Sequence, residues 1–212
     1  MKNGKVRIIS ISDSHLGHRK VPVDQMVDGY IKLFRKLEDP ETIDFIIHGG
    51  DFFDQGLSLA DGDVPVIQDF ILWLILFCKK YNIKLRVLEG TPSHDGKQSK
   101  QFNVMNNTLG REKIDLKYVD TLSIVYEEEH DLNFLYVPDE IRANCEETYL
   151  DTLELLRQSG LEQVDFAIMH GHFKYQIPAI KHLDAHIEKH YIDIVKHLIF
   201  IGHVHTMSTY DK

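Results

Sequence analysis

The sequence predicts an α/β fold. Two observations carry that expectation: apolar, β-branched runs alternate with amphipathic stretches of helical period, and no internal repeat or low-complexity tract interrupts the alternation. At 212 residues the chain is expected to form one domain, 1–212, long enough to bury a substantial core.

The elements follow in order. Val6 to Ser12 reads as the first strand, and 25–37 has helical spacing through Met26, Tyr30, Leu33, Phe34 and Leu37. Ile43 to His48 is a second strand and Val66 to Tyr81 a second helix, whose greasiest part, Phe70 to Cys78, is far too short to span a bilayer. Lys84 to Leu88 is a third strand, followed by a polar stretch, 90–100. Leu122 to Tyr126 and Leu132 to Val137 are shorter strands, separated by the acidic run Glu127 to Asp131, which reads as a solvated hairpin turn. Glu146 to Gln158 is a helix ended near Gly160, and Val164 to Met169 and His197 to Ile201 are two more buried strands.

Composition narrows the function classes. No N-terminal stretch combines a basic start, an apolar centre and a small-residue cleavage site, so secretion is not expected. Two cysteines, Cys78 within the apolar helix and Cys145, make no disulfide framework, and a reducing cytoplasm fits best. The formal charge of −9 argues against a broad basic surface for nucleic acid, while leaving room for a local basic groove or bound cations.

Thirteen histidines matter less by number than by position. Five strand-like runs each end in metal-capable side chains: Asp13 and His15, then Asp51, then His94, then His170, then His203 and His205. In α/β folds the carboxyl ends of the strands gather at one edge, where ligands bind. Asp13 and His15, like His203 and His205, are i,i+2 pairs whose side chains share one face of an extended segment. Asp51 follows Gly49 and Gly50, which suit a tight turn close to a bound group. Alone, Asp-x-His is usually a turn or helix cap, and Asp after Gly is common turn chemistry. Their joint order along the chain is what points to metal chemistry.

Imidazole and carboxylate together suit Mn²⁺, Fe or Zn²⁺ better than the oxygen cages of Ca²⁺ or Mg²⁺. One carboxylate shared by two cations holds them roughly 3.5–4 Å apart, where a bridging hydroxide can attack phosphorus in line. A histidine beside the metals can then protonate the leaving oxygen.

The motifs resemble those of the calcineurin-like metallophosphoesterase superfamily, whose ordered signatures are D-x-H, G-D-x-x-D, G-N-H-D/E, a lone H, and G-H-x-H. Here they stand as Asp13-Ser14-His15, Gly50-Asp51-Phe52-Phe53-Asp54, Gly90-Thr91-Pro92-Ser93-His94-Asp95, His170, and Gly202-His203-Val204-His205. D-S-H-L-G and G-D-F-F-D are most similar to the Mre11/SbcD nucleases of double-strand break processing, including phage relatives. The resemblance implies a four-layer α/β/β/α sandwich with two divalent transition-metal ions, Mn²⁺ first, at one sheet edge. Asp13, His15, Asp51 and His205 would hold one ion, and Asp51, His170 and His203 the other. His94 would be the proton donor, Asp95 would orient it, and Asp54 would be a structural turn residue.

Two departures accompany the match. Where the family's third motif offers an Asn amide oxygen to the second metal, Ser93 precedes the histidine, in a loop lengthened by Thr91-Pro92. Ser93 is then the expected neutral ligand, directly or through water, at a weaker second site. The lone histidine has two candidates, His170 and His172, of which His170 is preferred at the strand end. His48 is expected to face away, and His18, His182, His186, His190 and His197 to have surface or core roles. The chain also ends at Lys212, short of the closing strands, DNA-capping region and ATPase-binding segment of those nucleases, so a minimal or shortened form is expected.

The function so implied is a metal-dependent DNA exo/endonuclease, with DNA as substrate and a Rad50/SbcC-like ATPase subunit and a second copy of the chain as protein partners. The acidic charge and missing cap argue instead for a hydrolase of nucleotides, phosphoproteins or other small phosphate esters. Ser93 alone favours a non-catalytic scaffold, against which the persistence of His94 and the ligand set speaks.

Overall fold

In the computed structural model, which describes residues 5–139, 144–178, 185–206, 208 and 209, the chain forms two four-stranded sheets packed face to face. The first holds β1 (Ile8–Ile11), β2 (Phe45–His48), β3 (Lys84–Leu88) and β4 (Leu116–Val119), in that order and all parallel. The second holds β5 (Ser123–Glu127), β6 (Leu132–Val137), β7 (Val164–His170) and β8 (Val195–Gly202), with β5 antiparallel to β6 and the rest parallel.

The period-2 alternation of the strands builds three apolar layers. Phe45, Ile47 and Leu88 face Phe134, Tyr136, Phe166 and Ile168 between the sheets. Ile46, Leu85 and Val87 point the other way, against helices α1 (Val23–Arg35) and α2 (Asp63–Tyr81) and against Phe102 of α3 (Gln101–Thr108). Leu135, Val137, Ala167 and Met169 pack with α4 (Cys145–Gln158) and α5 (Glu188–Ile194). The result is the expected α/β/β/α sandwich. No described helix is long and apolar enough to cross a membrane.

Helix α2 buries Ile67, Phe70, Ile71, Leu74, Ile75 and Cys78 at i,i+3/i+4 spacing and stops where Asn82 turns left-handed. It begins at Asp63, earlier than its apolar period suggests, because Pro65 sits in the first turn, whose N–H groups lack helical partners. Helix α3 and strand β4 have no counterpart in the sequence reading. Only Phe102 and Asn106 of α3 are buried, and every residue of β4 is half-buried, so neither shows a periodic stripe.

The run Glu127 to Asp131 makes the expected hairpin turn between β5 and β6, with Glu128, Glu129 and Asp131 exposed, but two of its residues are not solvated. Glu127 and His130 are buried, and the Glu127 carboxylate meets Arg86 of β3 in the facing sheet. There it accepts hydrogen bonds from Arg86 Nε (2.8 Å) and Nη2 (2.6 Å), a fully buried guanidinium on β3 that also donates to the carbonyls of Leu85 and Asp115. A two-pronged ion pair therefore joins the two sheets across a largely apolar layer. Burial opposes ionisation of Glu127, but the hydrogen bonds and charges of Arg86 and Lys117 outweigh it and hold the carboxyl below its ordinary value. Its stabilising contribution is complete above the unfolded glutamate pKa of about 4.3 and lost as pH falls through the lower folded value. Glu127→Gln, which leaves Arg86 charged and underpaired, is expected to lower unfolding stability by about 3 kcal/mol at pH 7. Urea titrations should show the gap to wild type narrowing below about pH 4.

Candidate metal centre

The chain segments leaving β1 and β2 run side by side past the ends of their strands. Asp13 N–H donates to Gly50 O (2.9 Å), His15 N–H to Asp51 O (3.0 Å) and Leu16 N–H to Phe52 O (2.9 Å). Asp13, His15 and Asp51 adopt left-handed backbone, with φ of 55°, 45° and 53°, and His203 beyond β8 has φ of 99°. Non-glycine residues avoid this region, and such strain concentrates where a site imposes it. All four are sequence-predicted ligands.

Their side chains converge. Among the described residues, Asp13, His15 and His205 form one cluster, Asp51, His170 and His203 a second, and His15, Asp54 and His94 a third, each with ligand atoms within 4.8 Å of one another. In the first, His15 Nε2 lies 3.1 Å from His205 Nε2, and His205 Nε2 lies 3.6 Å from Asp13 Oδ1. In the second, His170 Nε2 lies 3.2 Å from Asp51 Oδ2. Asp51 Oδ2 is also 3.8 Å from His15 Nε2, which puts this carboxylate between the two groups.

The donor set fits cations. His170 Nδ1 contacts the Gly49 carbonyl at 2.8 Å; a carbonyl only accepts, so Nδ1 carries a proton and neutral His170 aims its Nε2 lone pair at a carboxylate. That contact requires either a second proton or a shared cation. Burial opposes a proton on His170, yet the hydrogen bond and charge of Asp51 outweigh it and raise its pKa. Burial would likewise raise Asp51, but His170 and the Thr91 N–H hold it down to about 2. His203 and His15 are pushed down, first by burial, which favours the neutral imidazole that binds metals.

Missing β-carbons make room for this packing. A Cβ on Gly50 would lie 2.4 Å from His170 Nδ1, and one on Gly202 would lie 2.8 Å from Gly49 O and 3.0 Å from His170 Nδ1. A Cβ on Gly90 would lie 2.0 Å from the backbone nitrogen of Asp51.

Residues 6–207 match the family profile described as calcineurin-like phosphoesterase. The chain belongs to that family. Its members are metal-dependent hydrolases, and the clusters at the strand ends supply residues suited to divalent ions. This phosphoesterase is also similar to the DNA double-strand break repair protein Mre11 of Saccharolobus solfataricus, 30% identical over 107 residues. That stretch covers 49% of this chain but only 26% of the archaeal protein.

The third motif of the phosphoesterase is arranged differently from the sequence expectation. Ser93 is exposed, and among the described hydrogen bonds none joins its hydroxyl to Asp51, His170 or His203. The hydroxyl among them belongs to Thr91, whose Oγ1 lies 3.2 Å from Asp51 Oδ2, 3.3 Å from His170 Nε2 and 3.4 Å from His203 Nδ1. Asp95 is fully buried and does not orient His94; its oxygens accept from Phe53 N–H (2.9 Å) and Gly90 N–H (2.8 Å), tying the second and third loops together. Burial pushes its carboxyl up to about 6 despite those bonds. His94 is oriented by the Asp54 carbonyl, 2.5 Å from Nδ1, which leaves Nε2 for other partners.

The remaining histidines divide. His172 stacks on His203 with ring centroids 5.2 Å apart, whereas His170 faces Asp51 directly. His48 is fully buried and contacts Ser14 Oγ at 2.8 Å, supporting the Asp13–His15 turn from beneath. The sequence reading missed that role because only the fold brings the second strand under this turn. His186 is a core residue beside Tyr191, and His182 lies outside the described residues.

Gly90→Ala should force the second and third loops apart. We expect a stability loss of about 1–3 kcal/mol, as for overpacking, and weakened Mn²⁺ binding, read by thermal unfolding and by metal content after dialysis.

Proposed function

We infer that this phosphoesterase is a DNA nuclease that cleaves phosphodiesters with two divalent transition-metal ions, Mn²⁺ first. The observation that carries the reading is the position of Asp51 between the clusters of Asp13, His15 and His205 and of His170 and His203. Those residues would hold the two ions, with Asp51 shared. When bound, such a pair polarises a phosphoryl group and lowers the pKa of a water towards neutrality.

The chain's own residues supply the rest. His94 stands edge-on to His15, ring centroids 4.8 Å apart, which supports a role for its imidazole beside the reacting centre. With Nδ1–H committed to the Asp54 carbonyl, Nε2 can hold a proton and deliver it to the leaving oxygen. Asp95 keeps the loop that carries His94 at a fixed distance from Asp51. The similarity to Mre11 supports DNA as the substrate, and by extension an ATPase subunit as a partner. The net charge of −9 favours the rival reading, a hydrolase of small phosphate esters.

Incubating the Mn²⁺-loaded protein with single- and double-stranded DNA tests the choice. Cleavage that EDTA abolishes is expected; turnover of bis-p-nitrophenyl phosphate with both DNAs intact would move the assignment to the small-ester reading. His94→Ala should retain its metal ions while kcat drops by about 10²–10⁴-fold. An active variant would mean that another group donates the proton.

A further inference from the structure

The third loop is the place where this sequence leaves its family's pattern, and its geometry assigns a role to a residue outside the expected ligand set. His94 N–H and Asp95 N–H both donate to the Thr91 carbonyl, at 2.9 and 3.0 Å. The loop therefore closes on itself across Pro92 and Ser93, which are both exposed. The extra residues are accommodated outwards, while Thr91 and His94 stay at the site. Thr91 directly follows Gly90, the offset that Asn holds in the family motif.

The Thr91 hydroxyl is held in place. Its backbone N–H donates to Asp51 Oδ1 at 2.6 Å, so the loop is tied to the far oxygen of the carboxylate whose near oxygen faces the hydroxyl. Oγ1 stands 3.2, 3.3 and 3.4 Å from the facing atoms of Asp51, His170 and His203, and the Asp51–His170 separation is 3.2 Å. Ligand atoms about 2.0–2.2 Å from one ion lie roughly 3.0–3.5 Å apart along the edges of an octahedron or a tetrahedron. Four contacts within that cluster have the length of a polyhedron edge.

Resting on the two-metal reading above, we propose that Thr91, not Ser93, supplies the neutral oxygen of the second metal site, and that this makes it the weaker of the two. An alcohol oxygen is a poorer donor than the carboxamide oxygen it replaces. The first site, with two carboxylates and two imidazoles, fills at lower ion concentration. Occupancy of the second site then sets the divalent-ion concentration at which the enzyme becomes active.

A purely structural Thr91, donating only to Asp51, makes a different prediction, and ion binding separates the two. Metal-stripped protein is titrated with MnCl₂ by calorimetry, alongside electron paramagnetic resonance for the spin-coupled Mn²⁺ pair. Wild type should bind two ions in resolved steps. Thr91→Asn should tighten the second step, and Thr91→Val weaken it, each by about tenfold or more. The first step should not move, and Ser93→Ala should match wild type at both. Unfolding midpoints in chelator verify that each variant is folded, and Thr91→Ser, which keeps the hydroxyl, should retain the second ion if Thr91→Val does not fold. The assignment is overturned if Ser93→Ala alone weakens the second step, or if wild type binds two ions and every Thr91 variant matches it. A wild-type protein that takes up no second ion would sink the two-metal reading together with it.

Discussion

The carboxylate of Asp51 is buried, and the surrounding groups are set around it. A carboxylate removed from water must be compensated by hydrogen bonds, cations or protons. Asp51 has the Thr91 N–H on one oxygen and, around the other, the Thr91 hydroxyl and the imidazoles of His170 and His15. To reach that position its backbone turns left-handed immediately after Gly50, and Gly90 passes so close that no side chain fits there. Loops from both sheets are therefore positioned by one anionic group. Their mutual distances follow from what that anion requires.

Such an arrangement concentrates strain, and the scaffold has to withstand it. Three residues of the first two loops and His203 of the last are left-handed, each at a cost of about 1–3 kcal/mol. The strands that carry them lie in well-paired sheets whose inner faces are filled by aromatic and branched side chains. The Arg86–Glu127 pair crosses the same layer, locking one sheet against the other. A rigid frame of this kind keeps ligands from separate loops in register, which loops alone do not achieve. Asp95 extends the principle into the loops, replacing a strand pairing with two buried hydrogen bonds from one side chain.

Much of this was legible from residue order. The long, periodic helix α2 and the apolar strands β2, β3, β6 and β7 announce themselves because burial on one stripe or both faces leaves a strong pattern. Helix α3 and strand β4 do not, since contacts distant in sequence hold them. The Asn106 side chain, for example, pairs with both the N–H and the C=O of Ile114. The burial of Glu127 was equally hidden, because its partner lies 41 positions earlier on another sheet.

The sequence by itself determined which chemistry is available at the site: carboxylates and imidazoles at strand ends, in i,i+2 pairs, with glycines where backbones must approach. Those features are local, and local geometry follows from residue type and spacing. Only the tertiary structure decided which hydroxyl enters the cluster, which of two neighbouring histidines faces Asp51, and what the buried Asp95 holds. Each depends on how a loop closes against a segment far away in the chain. Spacing along a sequence cannot specify a path through space when inserted residues are free to bulge outwards.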